Sequence, residues 1–513
     1  MKKSKKFGVI DIGSNTIRLV IYQLNTQMIF NEDQNIKLPV RLYQYLNEEK
    51  YLSETGIEEL VRVLQLFQKI IENYELESLV VTATAVIRQA KNTEEILTTV
   101  KQQTGIDVRL LSEEEEAYYG QYAIVRTTAY SEAYTVDMGG GSTEVTYFKD
   151  NQIVESHSFP FGVVTLKQLF FAEKETEATI KEASKYIKAQ FASLDWLKPR
   201  NIPIIAIGGS SRNIATVHER MTEFPSVGIH QYQMVEENLR ETLELFKGLT
   251  IAARQSLDGL SKDRADIIIP ANVTFLELMK QTEAPAFIFC NKGLREGLLM
   301  EEINRSQPDT YTPDRVSEIT IERFVQVHQE NTQHTKKRLQ LIQLLLDEIQ
   351  KHQLLNNDTE AFLPYLTYGS QLYHIGSAIE EEDSAFHSFY LLANSNLNGF
   401  THKERITLAL LASYKNKSLF KIFSKPFKEW FTEEEVKYIR LAGGLIKFVE
   451  AMNVVTVNEI QSLELIEKND KLVLKARWSI DPIAEIYRAN RQKKHLENAI
   501  QKKVSIDFKK IKS

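Results

Sequence analysis

Cysteine is nearly absent from this chain. Cys290 stands alone among 513 residues, which excludes an intrachain disulfide and a cysteine-rich metal site. Long apolar runs are missing too. No stretch reaches the roughly 18 apolar residues that a membrane-spanning helix needs, so none is expected. Basic residues open the chain (Lys2, Lys3, Lys5, Lys6), but the apolar stretch that follows, Phe7 to Ile12, is broken by Asp11 and ends at Gly13. That stretch is too short and too polar for a signal sequence, and a cytoplasmic location is expected. Positive charge is not in excess. Lys and Arg number 63 against 69 Asp and Glu, a formal net charge of −6, whereas a nonspecific nucleic-acid binder is usually basic. A polyanionic substrate would therefore need a local basic patch. No low-complexity segment and no solenoid repeat is visible.

The chain does have two glycine-bearing loops about 125 residues apart. The first runs Phe7-Gly8-Val9-Ile10-Asp11-Ile12-Gly13-Ser14-Asn15-Thr16-Ile17-Arg18-Leu19. The second runs Tyr134-Thr135-Val136-Asp137-Met138-Gly139-Gly140-Gly141-Ser142-Thr143-Glu144-Val145. In each, an apolar strand leads into an aspartate, then glycine and a hydroxyl residue, then apolar residues again. Glycine lets backbone approach phosphate oxygens, and free N–H groups and hydroxyls bind the anion. The aspartate can hold a divalent cation directly or through water. Two such loops facing each other would grip a phosphate chain from both sides.

The spacing of apolar residues sets the organisation. Residues 1–125 read as an α/β lobe, with strands at Phe7–Ile12, Arg18–Leu24, Leu79–Thr82 and Val108–Leu111. A helix with one buried face is expected from Ile57 to Tyr74. Residues 126–305 repeat the opening hairpin in a second lobe. There, a strand at Ile204–Ile207 runs into Gly208-Gly209-Ser210-Ser211-Arg212-Asn213, and a last strand at Ala286–Phe289 precedes a helix opening at Gly293. Pro308 and Pro313 mark a boundary. Residues 310–452 read as a helical domain. Residues 454–513 read as a small α/β appendix, with strands at Val454–Val457, Ser462–Ile466 and Lys471–Arg477 and a turn at Asn469-Asp470.

Between the loops lie Val81-Thr82-Ala83-Thr84-Ala85-Val86-Ile87-Arg88-Gln89-Ala90-Lys91-Asn92 and Ser112-Glu113-Glu114-Glu115-Glu116-Ala117. With both loops, Phe159-Pro160-Phe161-Gly162-Val163-Val164 and the segment after Ile207, the ordered set resembles the exopolyphosphatase/guanosine pentaphosphatase family. That family is part of the actin, sugar-kinase and heat-shock-chaperone ATPase superfamily. The resemblance covers roughly residues 5–300, and the rest fits the family's longer members by size. It implies two RNase-H-like lobes, a C-terminal helical HD-like domain and an appendix. It also implies an enzyme that removes a terminal phosphate with water and Mg²⁺ or Mn²⁺. The expected activity is on inorganic polyphosphate, with the 5′ phosphate of pppGpp as the alternative. An ATP-dependent small-molecule kinase or an actin-like ATPase is the reading from another class. A homodimer is expected, with no nucleic-acid or membrane partner.

Residue roles follow from the resemblance. Asp11, Asp137 and Glu144 are expected at the metal. Gly13, Ser14, Asn15, Arg18, Gly139, Gly140, Gly141, Ser142, Thr143, Gly208, Gly209, Ser210 and Ser211 are expected on phosphate. Arg88 is expected to neutralise the transferring phosphoryl group, and Glu115 to act as general base. Four consecutive glutamates blur that register, and Glu114 is the nearest competitor. The chemistry itself needs an oriented water, a partner for its proton and positive charge on the equatorial oxygens. From charge pattern alone, the glutamate run also reads as a solvated helix start with Ser112 as its N-cap, and Arg88 as the partner of a carboxylate. In the helical domain an HD-type metal site would want adjacent His and Asp. Tyr373-His374 does not supply them, so His328, His334, His374 and His387 are expected to be structural or substrate-facing.

Overall fold

Strand β1 (Lys5–Ile12) is buried on both faces from Phe7 to Ile10, as befits the centre of a sheet. β2 (Ile17–Leu24) returns antiparallel to it, and β3 (Phe30–Leu38) adds an edge. On the other side β4 (Leu76–Ala83) and β5 (Arg109–Leu110) run parallel, giving the order β3-β2-β1-β4-β5. The computed structural model describes residues 5–510 except 27, 173, 223, 226–227, 329–331, 355–362, 454–459, 469–470 and 479–481. The predicted strand at Val454–Val457 and the turn at Asn469-Asp470 lie outside the described residues.

The second sheet repeats the first. Its strands are β6 (Ala133–Met138), β7 (Thr143–Lys149), β8 (Gln152–Phe159), β9 (Ile204–Ile207), β10 (Tyr232–Met234) and β11 (Phe287–Phe289). Read from its hairpin edge the order is β8-β7-β6-β9-β11, with β10 added antiparallel beyond β11. The same backbone bond closes both hairpins: the Gly13 N–H donates to the Thr16 carbonyl and the Gly139 N–H to the Ser142 carbonyl, each at 3.0 Å. Register matches as well. Asp11 stands opposite Arg18 in the first hairpin, and Asp137 opposite Glu144 in the second. These are actin-like α/β lobes with mixed sheets.

The predicted first helix is present as Glu54–Ile71, capped by Ser53, whose hydroxyl accepts from the Gly56 N–H. It buries Ile57, Leu60, Val61, Leu64 and Phe67 and stops three residues before Tyr74. The helix Leu294–Ser306 ends beside the expected boundary at 305. It packs into one core with Phe7, Val9 and Val20 of the first sheet and with Leu111 and Tyr119. Tyr311 belongs to that core too. The end of the predicted second lobe is therefore built onto the first, and the structural unit extends to Val316.

The second unit covers residues 317–513 together with 225–228. Its helices include Val316–His328, Thr332–Lys351, Leu363–Leu372, Ser384–Ala393, His402–Ala412 and Glu433–Ala451. Strands β12 (Ile460–Lys468), β13 (Lys471–Trp478) and β14 (Val504–Lys510) form a three-stranded sheet alongside the helix Ile483–Ile500. Leu474, Trp478 and Leu496 share one core with Leu345, Ile446 and Phe448, so the change of texture near 454 marks a change of element and not of core. No helix among the described residues is long and apolar enough to cross a membrane.

Candidate active site

The two hairpin loops of the first unit face each other. A Cβ placed on Gly140 would lie 3.2 Å from the Ser14 Cβ. Between the loops lies a cleft of about 200 Å³, lined by Asp11, Ser14, Asn15 and Arg18 from one hairpin and by Asp137, Gly139, Ser142 and Glu144 from the other. Two glycines make this geometry possible. Gly208 has φ +91°, and a Cβ there would stand 2.7 Å from Asp137 Oδ1. At Gly162 a Cβ would stand 2.5 Å from the Gly139 and Gly140 backbone. Only glycine lets these turns close on the second loop. The helix Gly209–Met221 opens at the cleft, so its free N–H groups favour an anion there.

Cations line much of the cleft: Arg18, Lys37, Arg212, Arg264, Lys292 and Arg295. Burial, then repulsion from Arg295 and Arg212, draws Arg18 down to about 10. Burial also lowers Lys37, which bonds Asp263 at 2.6 Å, and lowers Arg264, with Arg212 adding to the effect and Asp263 opposing it. Burial works against the Arg295 charge, but Glu296 and Asp11 outweigh it and hold the guanidinium above its ordinary value. Arg295 Nη1 donates to Asp11 Oδ2 at 3.0 Å. Crowded arginines that weaken one another's charge make a site that gains from an incoming anion.

Acids gather beside them. Burial, then Asp11, raises Asp137 to about 6. Burial, then Asp137, raises Glu144 to about 7, although its carboxylate accepts from the Ser158 hydroxyl at 3.1 Å. Burial, then Glu144, raises Glu116 to about 8 against the pull of Arg88. Glu116, Asp137 and Glu144 also line an adjoining cavity of about 20 Å³, room for about one water. The donors are all oxygens, which suits a hard divalent cation. Among the described residues no three acid, histidine or cysteine side chains converge on one metal position, so such a cation would draw further ligands from substrate and water.

The helix Glu113–Ile124 decides which glutamate reaches the cleft. Ser112 caps it: its hydroxyl accepts from the Glu115 N–H at 3.2 Å, and the Glu115 carboxylate accepts from the Ser112 N–H at 2.9 Å. This reciprocal box turns Glu115 back along the helix, where it also pairs with Arg109. Glu114 is exposed, and neither it nor Glu115 lines the cleft. Glu116, one residue on, does. Arg88 lies behind it, donating to Glu116 and to the Leu111 carbonyl, and is not itself a lining residue.

The Ppx/GppA phosphatase family profile matches residues 20–306, and the profile for domain III of the same family matches residues 316–475. The chain belongs to the Ppx/GppA phosphatase family. A guanosine-5′-triphosphate,3′-diphosphate pyrophosphatase of Aliivibrio fischeri is 26% identical over 493 residues, 92% of this chain and 91% of that one. Exopolyphosphatase 1 of Mycobacterium tuberculosis is 24% identical over 312 residues, 60% of this chain and 90% of that one. A bifunctional 3-dehydroquinate synthase/phosphatase of Fusobacterium nucleatum is 26% identical over 284 residues, 53% of this chain, and the chain spans only 42% of its length. The crystal structure of the Aquifex aeolicus Ppx/GppA family member, 27% identical, superposes with a TM-score of 0.53 over 60% of this chain and 99% of that one.

Membership in a phosphatase family sets aside the kinase and actin-like ATPase readings. Most expected phosphate-loop residues of this Ppx/GppA chain do meet in the cleft: Gly13, Ser14, Asn15, Arg18, Gly139, Gly140, Ser142, Gly208 and Gly209 line it with the three acids Asp11, Asp137 and Glu144. Gly141 faces the Ser14 hydroxyl at its rim. Thr143, Ser210 and Ser211 stand behind it. The Thr143 hydroxyl donates to the Phe161 carbonyl, the Ser211 hydroxyl to the Ile207 carbonyl, and Ser210 accepts from Arg264. Lys37, Arg212, Arg264, Lys292 and Arg295 were not foreseen. Arg212 follows the Gly208–Ser211 run directly and Arg295 follows the glycine that opens a helix, so adjacency could have found both. Nothing local marks Lys37 or Arg264, which sheet pairing and a distant turn bring in.

Proposed function

We propose that this chain is an exopolyphosphatase that hydrolyses the terminal phosphate of inorganic polyphosphate. The observation that carries this reading is the opposition of a crowded cationic wall to a partly buried acid, Glu116, inside one cleft. Arg18, Arg212, Arg264 and Lys292 would bind the non-bridging oxygens, with the loop N–H groups and Ser14 beside them. Glu116 would take the proton from a water lodged against Asp137 and Glu144. Arg88 would hold Glu116 in place from behind and leave the phosphoryl group to the other arginines. Mg²⁺ or Mn²⁺ beside Asp11, Asp137 and Glu144, with further ligands from substrate and water, would offset phosphate charge and polarise the scissile group.

The 5′ phosphate of pppGpp is the second reading, favoured by the near full-length alignment with the Aliivibrio pyrophosphatase. Both readings use the same cleft. The second unit is proposed to be HD-like without an HD metal pair. Cytoplasmic residence and a homodimer are proposed with it. Purified protein assayed in parallel with long polyphosphate, pppGpp and ATP, with Mg²⁺ and after exhaustive EDTA treatment, tests the assignment. Metal-dependent phosphate release is expected, fastest from polyphosphate. Release from pppGpp alone would move the substrate, and release from ATP alone would overturn both readings.

A further inference from the structure

The second unit holds a cavity of about 600 Å³, within the range of small-molecule sites, and the reaction proposed above does not use it. Arg338 lies in its floor with a side chain 2% exposed. Its Nε donates to the Ser370 carbonyl and its Nη1 to Glu450 at 3.0 Å, but Nη2 has no partner. Asn453 is 1% exposed; its amide nitrogen donates to the His334 carbonyl, while its Oδ1 has no partner. His374 Nδ1 lies 3.3 Å from the Ser384 hydroxyl and Nε2 has no partner. Its ring stacks on Tyr373 at 4.2 Å, on a backbone with φ +57°. Exposed Arg488 lines the same cavity.

Three buried polar atoms without partners around one cavity are costly unless something fills it. The unused groups select what that is. Glu450 accepts from both Arg338 and His334, and these partners, outweighing burial, hold it down at about 2. It is already neutralised, so a cation is a poor fit. His374 is drawn down to about 4 by burial, with Arg338, Lys415 and Lys447 opposing Glu450; it is a neutral ring in a positive field. The free capacity is one arginine nitrogen, Nη2, and an imidazole for an anion, plus one amide oxygen for a donor. We propose that this cavity binds a small phosphate ester, with its phosphate on Arg338 and Arg488 and a hydroxyl or amine of its organic part on Asn453.

Ring ¹H–¹⁵N signals of His374 and His334 in the full-length protein test this, because both lie in the second unit and line this cavity, whereas His157, His218 and His230 belong to the first unit and serve as controls. Ribose 5-phosphate should shift the His374 and His334 signals saturably, and ribose should not. Arg488→Ala, a surface change, should weaken the ester by about tenfold or more, as loss of one charged hydrogen bond implies. Arg338→Lys should weaken it similarly. Inorganic phosphate producing the same saturable shift at equal affinity would overturn the ester in favour of the free ion. Absence of any saturable shift, or equal affinity in wild type and Arg488→Ala, would overturn the site.

Discussion

At the scale of the residue, Glu116 and Arg88 carry the sharpest predictions. Glu116→Gln should keep substrate binding and lose phosphate release by about 2 to 4 orders of magnitude, the usual yield of general-base catalysis. Glu115→Gln should leave turnover near wild type and cost only part of a helix cap. A Glu115→Gln protein as inactive as Glu116→Gln would return the base to Glu115. A base must be unprotonated, so kcat/KM should rise with pH. At low Mg²⁺ its bend should sit near the free value of Glu116, about 8, and should move to lower pH as added cation stabilises the carboxylate. Arg88 lowers the Glu116 value, so Arg88→Met should push the bend higher still. If Arg88 instead touched the phosphoryl group, rate would fall with the bend unmoved. The pH–rate profile of that one variant separates the two roles.

At the scale of the element, the hairpins and the buried strands were legible because their signals are local. Val9-Ile10 and Ile204–Ile207 are continuous apolar runs bounded by glycine, and the structure makes central strands of them. The edge strands β3 and β8 went unread. FNEDQNIKL and QIVESHSF are exposed on both faces through their middles, and that polarity, which protects an edge from pairing with another chain, erases the pattern used to find strands. The register of the glutamate run stayed open for a different reason. Spacing from Ala117 cannot tell which carboxylate the N-cap captures, whereas the reciprocal Ser112–Glu115 bonds fix Glu115 and send Glu116 inward. Gly208→Ala tests the turn that supports the second loop. A methyl group at φ +91° and 2.7 Å from Asp137 should cost about 1–3 kcal/mol in urea denaturation. It should also raise the Mg²⁺ needed for half-maximal activity, by displacing Asp137.

At the scale of the molecule, division into two units predicts a division of labour. A chain ending after Val316 keeps Tyr311 in its core, whereas one ending at Arg305 would remove it. The solved Aquifex relative is covered to 99% by 60% of this chain, so a shorter protein of this family folds by itself. The 1–316 protein should hydrolyse short polyphosphates and lose affinity for long ones, since many weak basic contacts on one linked ligand add up. Apparent affinity against chain length at two salt concentrations checks this; equal losses on short and long substrates would refute it. The acids of the cleft also set a stability slope. Glu144 and Glu116 titrate at about 7 and about 8 in the fold but near 4.3 when unfolded. Between pH 6.5 and 8 the folded state binds more protons, so stability should fall as pH rises. Thermal unfolding across that window should show this, and the slope should flatten in Glu116→Gln and with added Mg²⁺. Finally, the two hairpins match in turn and register but not in side chains: Ser14-Asn15 answers Gly140-Gly141, and Arg18 opposite Asp11 answers Glu144 opposite Asp137. Polyphosphate is the same read from either end and has no head or tail of its own. If that is the ligand, the direction in which it is consumed must be written by these broken symmetries in the protein.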